Sequence, residues 1–336
     1  VLIGGKDKGE TPVYTEEIKS GDLEVTINGE KNSYSTIIKP AAGTLAVIQR
    51  DLGVSDKFSS GQNIWFTKIG GEETAVSVIS PDVEEVSVIV DGVEIGKTPV
   101  RFLTKDLLKQ NEEGRYTLAF KKSGYEEQEV EVKVKEGFEL NIRTDMFLKP
   151  IPGSVSILDG FQEGVTFLNF SNITEPAFSD KQNWAKAINY WLNTRGAVVL
   201  ENSKVESFGA FIASSGDIYN SEGNKISADD LKVESGLTIA YLDINQAEKP
   251  SAEALLAIAD ITDGVVPASA SQVKIKATGL GFLRVRSGPG TGNAQVATVE
   301  VGKLYKLVSE KGGWYEIEYK EGETGWISGS YADKVE

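Results

Sequence analysis

The sequence predicts a mainly β, multidomain protein with two small β domains, one α+β domain and a small C-terminal β barrel. Short segments that alternate apolar and polar residues, such as "LEVTING" and "EQEVEVKV", recur through the first half of the chain. This period of two is typical of strands. Two helical patterns follow, and then short strands separated by regularly spaced Gly turns, as in small barrels. We place the domains at residues 1–80, 84–150, 151–266 and 273–336.

An internal repeat marks the first two domains. Residues 1–13, "VLIGGKDKGETPV", align with residues 88–100, "VIVDGVEIGKTPV". Each run predicts an apolar strand, a Gly-containing hairpin turn and a short return strand that a proline ends. Repetition of one supersecondary unit indicates repeated domains.

The second copy also contains "GKT", the end of a phosphate-binding loop motif. Asp91 stands where that motif needs its first Gly, and Glu10 replaces Lys97 in the first copy. Pro99 has no N–H to offer at the start of an anion-binding helix. We therefore interpret the stretch as a turn, and expect no nucleotide site.

The repeats resemble the PEGA domain family. After the second hairpin the chain continues "GRYTLAFKKSGYEEQEVEVKV". The residues that match the family pattern are Gly92, Gly96, Thr98, Pro99, Gly124 and Tyr125. The first copy fits the opening of the pattern better than its second half. The resemblance implies small β-rich units of bacterial surface or envelope proteins, without catalytic residues.

Residues 151–266 read as an α+β domain that resembles no family. The run "SDKQNWAKAINYWLNTRG" predicts a helix, with a capping box of Ser179 and Gln182, a terminal Gly196, and an apolar face containing Trp184 and Trp191. The run "SAEALLAIADI" predicts a second helix, and "VVPASASQ" at 265–272 predicts a linker.

The C-terminal segment resembles the bacterial SH3 (SH3b) domain. Its opening "LRVRSGPG" and closing "GETGWISGSY" match the family pattern at these positions: Leu283, Arg284, Val285, Arg286, Pro289, Gly325, Trp326 and Tyr331. The resemblance implies an SH3-like β barrel that binds peptide or glycan segments of the cell wall.

Five side chains of this barrel are the predicted ligand-binding residues. Tyr315, Tyr319 and Tyr331 each carry a hydroxyl that prefers water or a partner. Arg284 and Arg286 alternate with apolar residues, so both guanidinium groups are expected on the solvent face, in reach of wall carboxylates or phosphates.

The general tendency of apolar side chains to be buried predicts two core residues in the barrel. We expect Val285, on the opening strand, and Trp326, on the closing strand, to be buried.

Composition excludes several classes of function. Lys and Arg number 35 against 50 Asp and Glu, a net charge of −15, so we expect no nucleic-acid partner. The chain has no Cys and no His, which excludes Ser-His-Asp and Cys-His catalysis and nearly all zinc hydrolases. We expect no catalytic residues, metal or cofactor.

Residues 273–336 differ in charge from the rest of the chain. They hold 9 basic and 8 acidic residues, a net charge of +1, whereas the first 272 residues carry −16. This least acidic part is the best suited to meet an anionic wall polymer.

These observations predict a non-enzymatic, modular protein of the bacterial envelope or exterior that binds wall glycan or peptide, or a surface protein. No apolar run reaches the roughly 20 residues that cross a bilayer. The chain begins at Val1 inside a strand pattern, so we expect a fragment or a processed form. The sequence leaves open whether a signal peptide or a membrane anchor precedes it.

Two alternatives remain open. One is a cell-wall hydrolase that uses carboxylates of residues 151–266, with Asp243, Asp217 and Glu222 as candidates and SH3b as its targeting arm. The other is a purely structural protein in which PEGA modules serve as spacers or assembly units.

Overall fold

A computed structural model describes residues 1–16, 18, 21–30, 32–107, 114–151, 155–158, 165–170, 176–200, 203–231, 236–243, 250–261, 272–320 and 323–335. The chain forms two compact units. The first contains residues 1–153 and 186–196, and the second contains residues 154–185 and 197–336. The predicted fold class, mainly β with several domains, is confirmed.

The first unit consists of strands and one short helix. In chain order they are β1 (Leu2–Ile3), β2 (Lys6–Asp7), β3 (Leu23–Asn28), β4 (Ser33–Ile38), β5 (Val47–Asp51), β6 (Ser60–Lys68), β7 (Ala75–Ile79), β8 (Ser87–Val90), β9 (Val93–Lys97), β10 (Val100–Leu103), α1 (Thr104–Leu107), β11 (Arg115–Lys121), β12 (Gln128–Lys133) and β13 (Phe138–Asp145). Three sheets result, with strand orders β2-β1-β3-β4, β10-β7-β13-β6-β5 and β12-β11-β8-β9.

Strand β13 is the centre of the five-stranded sheet. It pairs antiparallel with β6, from Phe138 opposite Lys68 to Asp145 opposite Gly61, and parallel with β7 on its other side. The sheet therefore joins strands from both sides of residue 80. The boundaries 1–80 and 84–150 stay a prediction.

The core of this unit lies between the five-stranded and the β12-β11-β8-β9 sheets. Alternate residues of their strands point into it, as a strand period of two requires. Its buried members are Val76, Val78, Val83, Val86, Val88, Val90, Phe102, Tyr116, Leu118, Phe120, Val132, Leu140, Ile142 and Met146.

The two repeated runs fold as hairpins of the same kind. In the first, Gly4 and Gly5 link β1 to β2, and in the second, Asp91 and Gly92 link β8 to β9. All four turn residues have positive φ, which is the geometry of the two-residue hairpin turn. The "GK" of this run ends strand β9 and Pro99 leads into strand β10, so no helix begins there, as expected. The "GKT" is therefore the end of the return strand, and the turn itself lies at Asp91 and Gly92.

Residues 186–196 belong to the first unit, and ion pairs of Arg195 connect them to the rest of it. Arg195 donates to Asp51 at 2.6 Å and to Glu126 at 2.9 Å, and its guanidinium carbon lies 4.6 Å from the ring centre of Phe147. Desolvation opposes the charge of Arg195, but the two carboxylates outweigh it and raise the pKa of this group. Tyr190 also donates a short hydrogen bond to Asp51.

The second unit begins with a mixed sheet. Its strands and helices are β14 (Ser156–Leu158), β15 (Val165–Phe170), α2 (Lys181–Arg195), β16 (Val198–Leu200), β17 (Ser203–Val205), β18 (Ala210–Ala213), β19 (Ile218–Asn220), β20 (Lys225–Ile226), β21 (Leu237–Leu242) and α3 (Ala252–Ile261), although the end of α2 belongs to the first unit. The sheet order is β14-β15-β21-β18-β19-β20, with β15 and β18 parallel to β21. Helix α3 packs against it.

Both predicted helices form, but the first starts later than expected. Asp180, not Ser179, is its cap, because the Asp180 carboxylate accepts from the backbone N–H of Asn183 at 3.0 Å. The Ser179 hydroxyl instead donates to Pro176 within the preceding 3-10 turn. Gly196, with φ of +95°, ends the helix as predicted. Nearly all of the predicted linker 265–272 lies outside the described residues.

The C-terminal strands form an antiparallel barrel-like sheet. They are β22 (Gln272–Ile275), β23 (Phe282–Arg286), β24 (Gln295–Glu300), β25 (Leu304–Lys311), β26 (Trp314–Lys320), β27 (Glu323–Ser328) and β28 (Ala332–Val335), in the order β24-β23-β27-β26-β25-β22-β28. Its buried core consists of Val273, Ile275, Val285, Val299, Leu307, Ile317, Ile327 and Ala332. Among the described residues, no helix is long and apolar enough to span a bilayer.

The position of β13 predicts the effect of a core substitution. Ile142→Ala removes a side chain that is 1% exposed between β6 and β7. We expect a loss of about 2 to 5 kcal/mol of unfolding free energy. Hydrogen exchange followed by mass spectrometry should show faster exchange in β6, β7 and β13 together, and unchanged exchange in β26. The control Ile37→Ala, at a 63% exposed position, should change little. Faster exchange in β13 alone would contradict the shared sheet.

Candidate functional site

The pleat of strand β26 divides its aromatic residues between two faces. Ile317 is fully buried, and Tyr315 and Tyr319, two residues away on either side, pack partly buried against the same core. Side chains alternate along a strand, so Trp314 and Glu316 belong to the opposite, outer face. The tyrosines of β26 therefore pack on the core side of the strand.

Strand β27 places its tryptophan outside. Gly325 and Ile327 are buried, whereas Trp326 between them is half-buried, so the prediction that Trp326 is a core residue is wrong. A Cβ at position 325 would lie 2.4 Å from Val285, which shows how closely that face approaches the core. Trp326 must then face outward. Val285 is fully buried, as predicted.

Four strands present one row of side chains on this outer face. Arg286 of β23 lies opposite Trp326 of β27, which lies opposite Glu316 of β26, which in turn lies opposite Ser309 of β25. Directly opposed residues have Cβ atoms about 5 Å apart. A cation, an aromatic ring and a carboxylate thus lie side by side.

We call five residues of this face the outer strip. They are Arg284, Arg286, Trp314, Glu316 and Trp326.

The carboxylate of the outer strip is held in place by two hydroxyls. Ser309 donates to one oxygen of Glu316 at 2.7 Å, and Thr324 donates to the other at 2.9 Å. Hydrogen bonds to an ionised acceptor are stronger than neutral ones, so Glu316 has a fixed orientation beside Trp326. Each oxygen keeps lone pairs for a further donor.

The two arginines of the outer strip have no carboxylate within 4 Å in the part of the chain that the structure describes. Arg284 is exposed, and Arg286 is half-buried and donates to the backbone oxygen of Asn293 at 2.7 Å. That bond orients Arg286 and leaves other N–H groups of its guanidinium for a ligand.

The three predicted tyrosines have different surroundings. Tyr319 donates to Glu323 at 3.1 Å. Desolvation is the main cause that raises the pKa of the Tyr319 hydroxyl, and the hydrogen bond to Glu323 adds to it. Tyr315 packs against the core, and a Cβ at Gly329 would lie 3.0 Å from its ring. Tyr331 is 48% exposed in the 3-10 turn after β27. Their role as ligand-binding residues stays a prediction.

Sequence reasoning missed Trp314 and Glu316 as candidates. The signal was present in "WYEIEYK". Successive residues of a strand point to opposite faces, and the central isoleucine identifies which of the two faces is the core. Once Ile317 is assigned to the core, Trp314 and Glu316 must face outward.

The three carboxylates proposed for a hydrolase each have their own partners. Asp217 pairs with Lys225 at 2.7 Å, which lowers its pKa, and Glu222 accepts from Asn224 at 3.2 Å on the exposed turn that follows β19. Asp243 is 3% exposed and accepts from Tyr241 at 3.1 Å. Within the described residues no group of three or more acidic side chains is arranged to hold a metal ion.

Lys181, which interacts with the charge of Asp243, has a lowered pKa. Burial lowers the pKa of Lys181 to about 8, and the negative charge of Asp243 opposes that shift. The Lys181 ammonium donates to the backbone oxygen of Phe178 at 2.9 Å.

The comparisons with known families cover two parts of the chain. Residues 74–146 match the PEGA domain, and residues 281–333 match the bacterial SH3 domain. The chain contains a PEGA domain and a bacterial SH3 domain. The outer strip lies entirely within the SH3 domain. The SH3 resemblance and the PEGA resemblance of the second repeat are confirmed, while the PEGA-like character of residues 1–80 stays a prediction.

Two curated relatives share part of the sequence, and both are described as probable endopeptidase p60. The protein from Listeria welshimeri is 33% identical over 114 residues, which is 31% of this chain and 21% of the relative. The protein from Listeria monocytogenes serovar 1/2a is 32% identical over 72 residues, or 21% of this chain and 14% of the relative. The chain thus spans less than a quarter of the length of either relative.

The two faces of β27 predict losses of unfolding free energy of different size for two neighbouring substitutions. Ile327→Ala, at a fully buried position, should cost about 2 to 5 kcal/mol of unfolding free energy. Trp326→Ala, on the outer face, should cost about 1 kcal/mol. Thermal unfolding followed by circular dichroism checks both. A larger loss of unfolding free energy for Trp326→Ala than for Ile327→Ala would contradict the outward position of Trp326 and indicate that it belongs to the core.

Proposed function

We propose that this chain is a non-enzymatic, modular protein of the bacterial cell surface or envelope, and that its SH3 domain binds cell-wall glycan or peptide through the outer strip. One observation carries the proposal. In the SH3 domain, two arginines without a carboxylate partner in the described structure lie on the same face as an outward tryptophan.

The chemistry of the outer strip suits wall material. The faces of Trp326 and Trp314 offer apolar area at low entropic cost to a sugar ring or a peptide side chain. Arg284 and Arg286 are placed to pair with carboxylates or phosphates, which a planar guanidinium binds through two hydrogen bonds. Glu316 offers an acceptor for amide or hydroxyl donors of the same ligand.

The distribution of charge supports the same assignment. The segment 273–336 carries +1 in a chain of −15, so an anionic polymer meets the least repulsion there. Wall polymers and acidic surface proteins share this preference. A surface protein is therefore the second class of partner, and the PEGA domain serves as a spacer or an assembly unit in either case.

A wall hydrolase is the second candidate function, and Asp243 is the observation that favours it. Asp243 directly follows β21, at the carboxyl end of a strand that has parallel neighbours on both sides. Ligands of α/β sheets commonly bind at such ends. The similarity to p60 proteins gives weaker support, since it covers about a fifth of their length. Asp217 is engaged by Lys225, which leaves the proposed carboxylate pair incomplete.

Co-sedimentation of the whole chain with purified peptidoglycan tests the binding proposal. The double variant Arg284→Ala, Arg286→Ala should bind about tenfold or more weakly, since each charge-assisted hydrogen bond contributes about 1.5 to 3 kcal/mol. The control Lys276→Ala, Lys303→Ala removes the same charge from ion-paired lysines of the same barrel and should bind as the unaltered chain does.

Equal loss in both double variants would point to non-specific charge attraction and contradict the outer strip. Unaltered binding by both double variants would contradict the outer strip and indicate that another face of the chain binds the wall. The supernatants also separate the two candidate functions. Time-dependent release of soluble fragments that Asp243→Asn abolishes would establish the hydrolase.

A further inference from the structure

A basic groove lies in the first unit, where a residue just beyond the PEGA domain joins residues of that domain. It is a shallow depression, open to solvent, with a volume of about 360 Å³, and is lined by Lys121, Lys122, Lys149, Ser87, Ser123 and Tyr125, together with Glu127. Its lysines come from two segments, the end of β11 with the turn that follows it, and a residue just after β13. The fold therefore brings together charges that are distant in sequence.

The charges of this groove do not cancel. Glu127 pairs with Lys121 at 2.9 Å, which accounts for one lysine. Lys122 and Lys149 have no carboxylate within 4 Å in the described part of the chain. Three ammonium groups with a single carboxylate repel one another, and an anion in the groove would relieve that repulsion.

The backbone fixes the two lysine-bearing segments against each other. Tyr125 donates to the oxygen of Lys122 at 3.1 Å and closes the turn, while Lys149 donates to the oxygen of Gly124 at 2.9 Å. The backbone N–H of Glu126 donates to the backbone oxygen of Phe147, a fully buried residue, at 2.9 Å. Gly124 has a φ of +83°, which a side chain at that position would disfavour. The backbone that carries the lysines is thus fixed before an anion binds, and only side chains must be ordered.

We propose that this groove is an anion-binding site for a phosphate or carboxylate group. Lys122 and Lys149 supply the charge, each as an ammonium with three donors, and the hydroxyls of Ser87 and Ser123 supply neutral donors. The site is separate from the outer strip of the SH3 domain, and it does not depend on the function proposed for that strip.

Nuclear magnetic resonance of the whole chain tests the site. Inorganic phosphate and, separately, acetate are titrated at constant ionic strength, set with chloride, while the backbone amide signals are followed. Saturable shifts should appear at Lys122, Ser123, Gly124 and Lys149 with at least one of the two anions. The comparison of the two arms identifies phosphate or carboxylate as the preferred group.

A matched pair of variants completes the test. Lys122→Ala, Lys149→Ala should weaken anion binding about tenfold or more, because it removes both unpaired charges. The control Lys133→Ala, Lys135→Ala takes the same charge from exposed positions of the first unit, beside the start of β11, the end remote from the groove, and should leave binding unchanged. The spectra report whether each variant is folded, and the milder Lys149→Gln provides a second variant. Shifts that stay linear, or that spread evenly over the lysines of the chain, would show an adventitious ion only and overturn the site.

Discussion

The alternation of side chains along a β-strand is the constraint on which this structure depends. In the first unit it directs Leu140 and Ile142 of β13 into the core. In the SH3 domain it places Ile317 and Ile327 inside, and it consequently places Glu316 and Trp326 outside on neighbouring strands. The same rule that builds the cores therefore builds the outer strip. A shift of one residue in β26 or β27 would exchange the core for the outer strip.

Much of the fold could be predicted from the sequence because its signals are local. The hairpin turns of the repeats depend on residues such as Gly5 and Gly92, and the end of α2 depends on Gly196, so each is legible in a few neighbouring letters. The predicted cap of α2, Ser179, is wrong, because the neighbouring Asp180 is an equally good cap and is the residue that accepts the bond from Asn183. The pairing of β13 with β6 links residues 70 to 84 positions apart and leaves no local signal.

The candidate site was predicted only in part, for a related reason. Arg284 and Arg286 were recognised by their alternation with Leu283 and Val285. Trp326 was assigned to the core by its size, yet the face on which it lies depends on the buried positions of its neighbours Gly325 and Ile327. Base rates for large apolar residues are thus weaker guides in a small barrel than the register of its strands. The basic groove of the first unit had no sequence signal, since Lys149 joins Lys122 only through tertiary pairing.

The indole N–H signals of the chain's five tryptophans provide the most direct test of the central claim, that the outer strip binds wall material. Soluble peptidoglycan fragments are added to the labelled whole chain and the five signals are followed. The account predicts saturable shifts of the Trp314 and Trp326 signals, with Trp65, Trp184 and Trp191 unchanged as internal controls. Binding that leaves both outer-strip signals unmoved, while another tryptophan shifts, would contradict it.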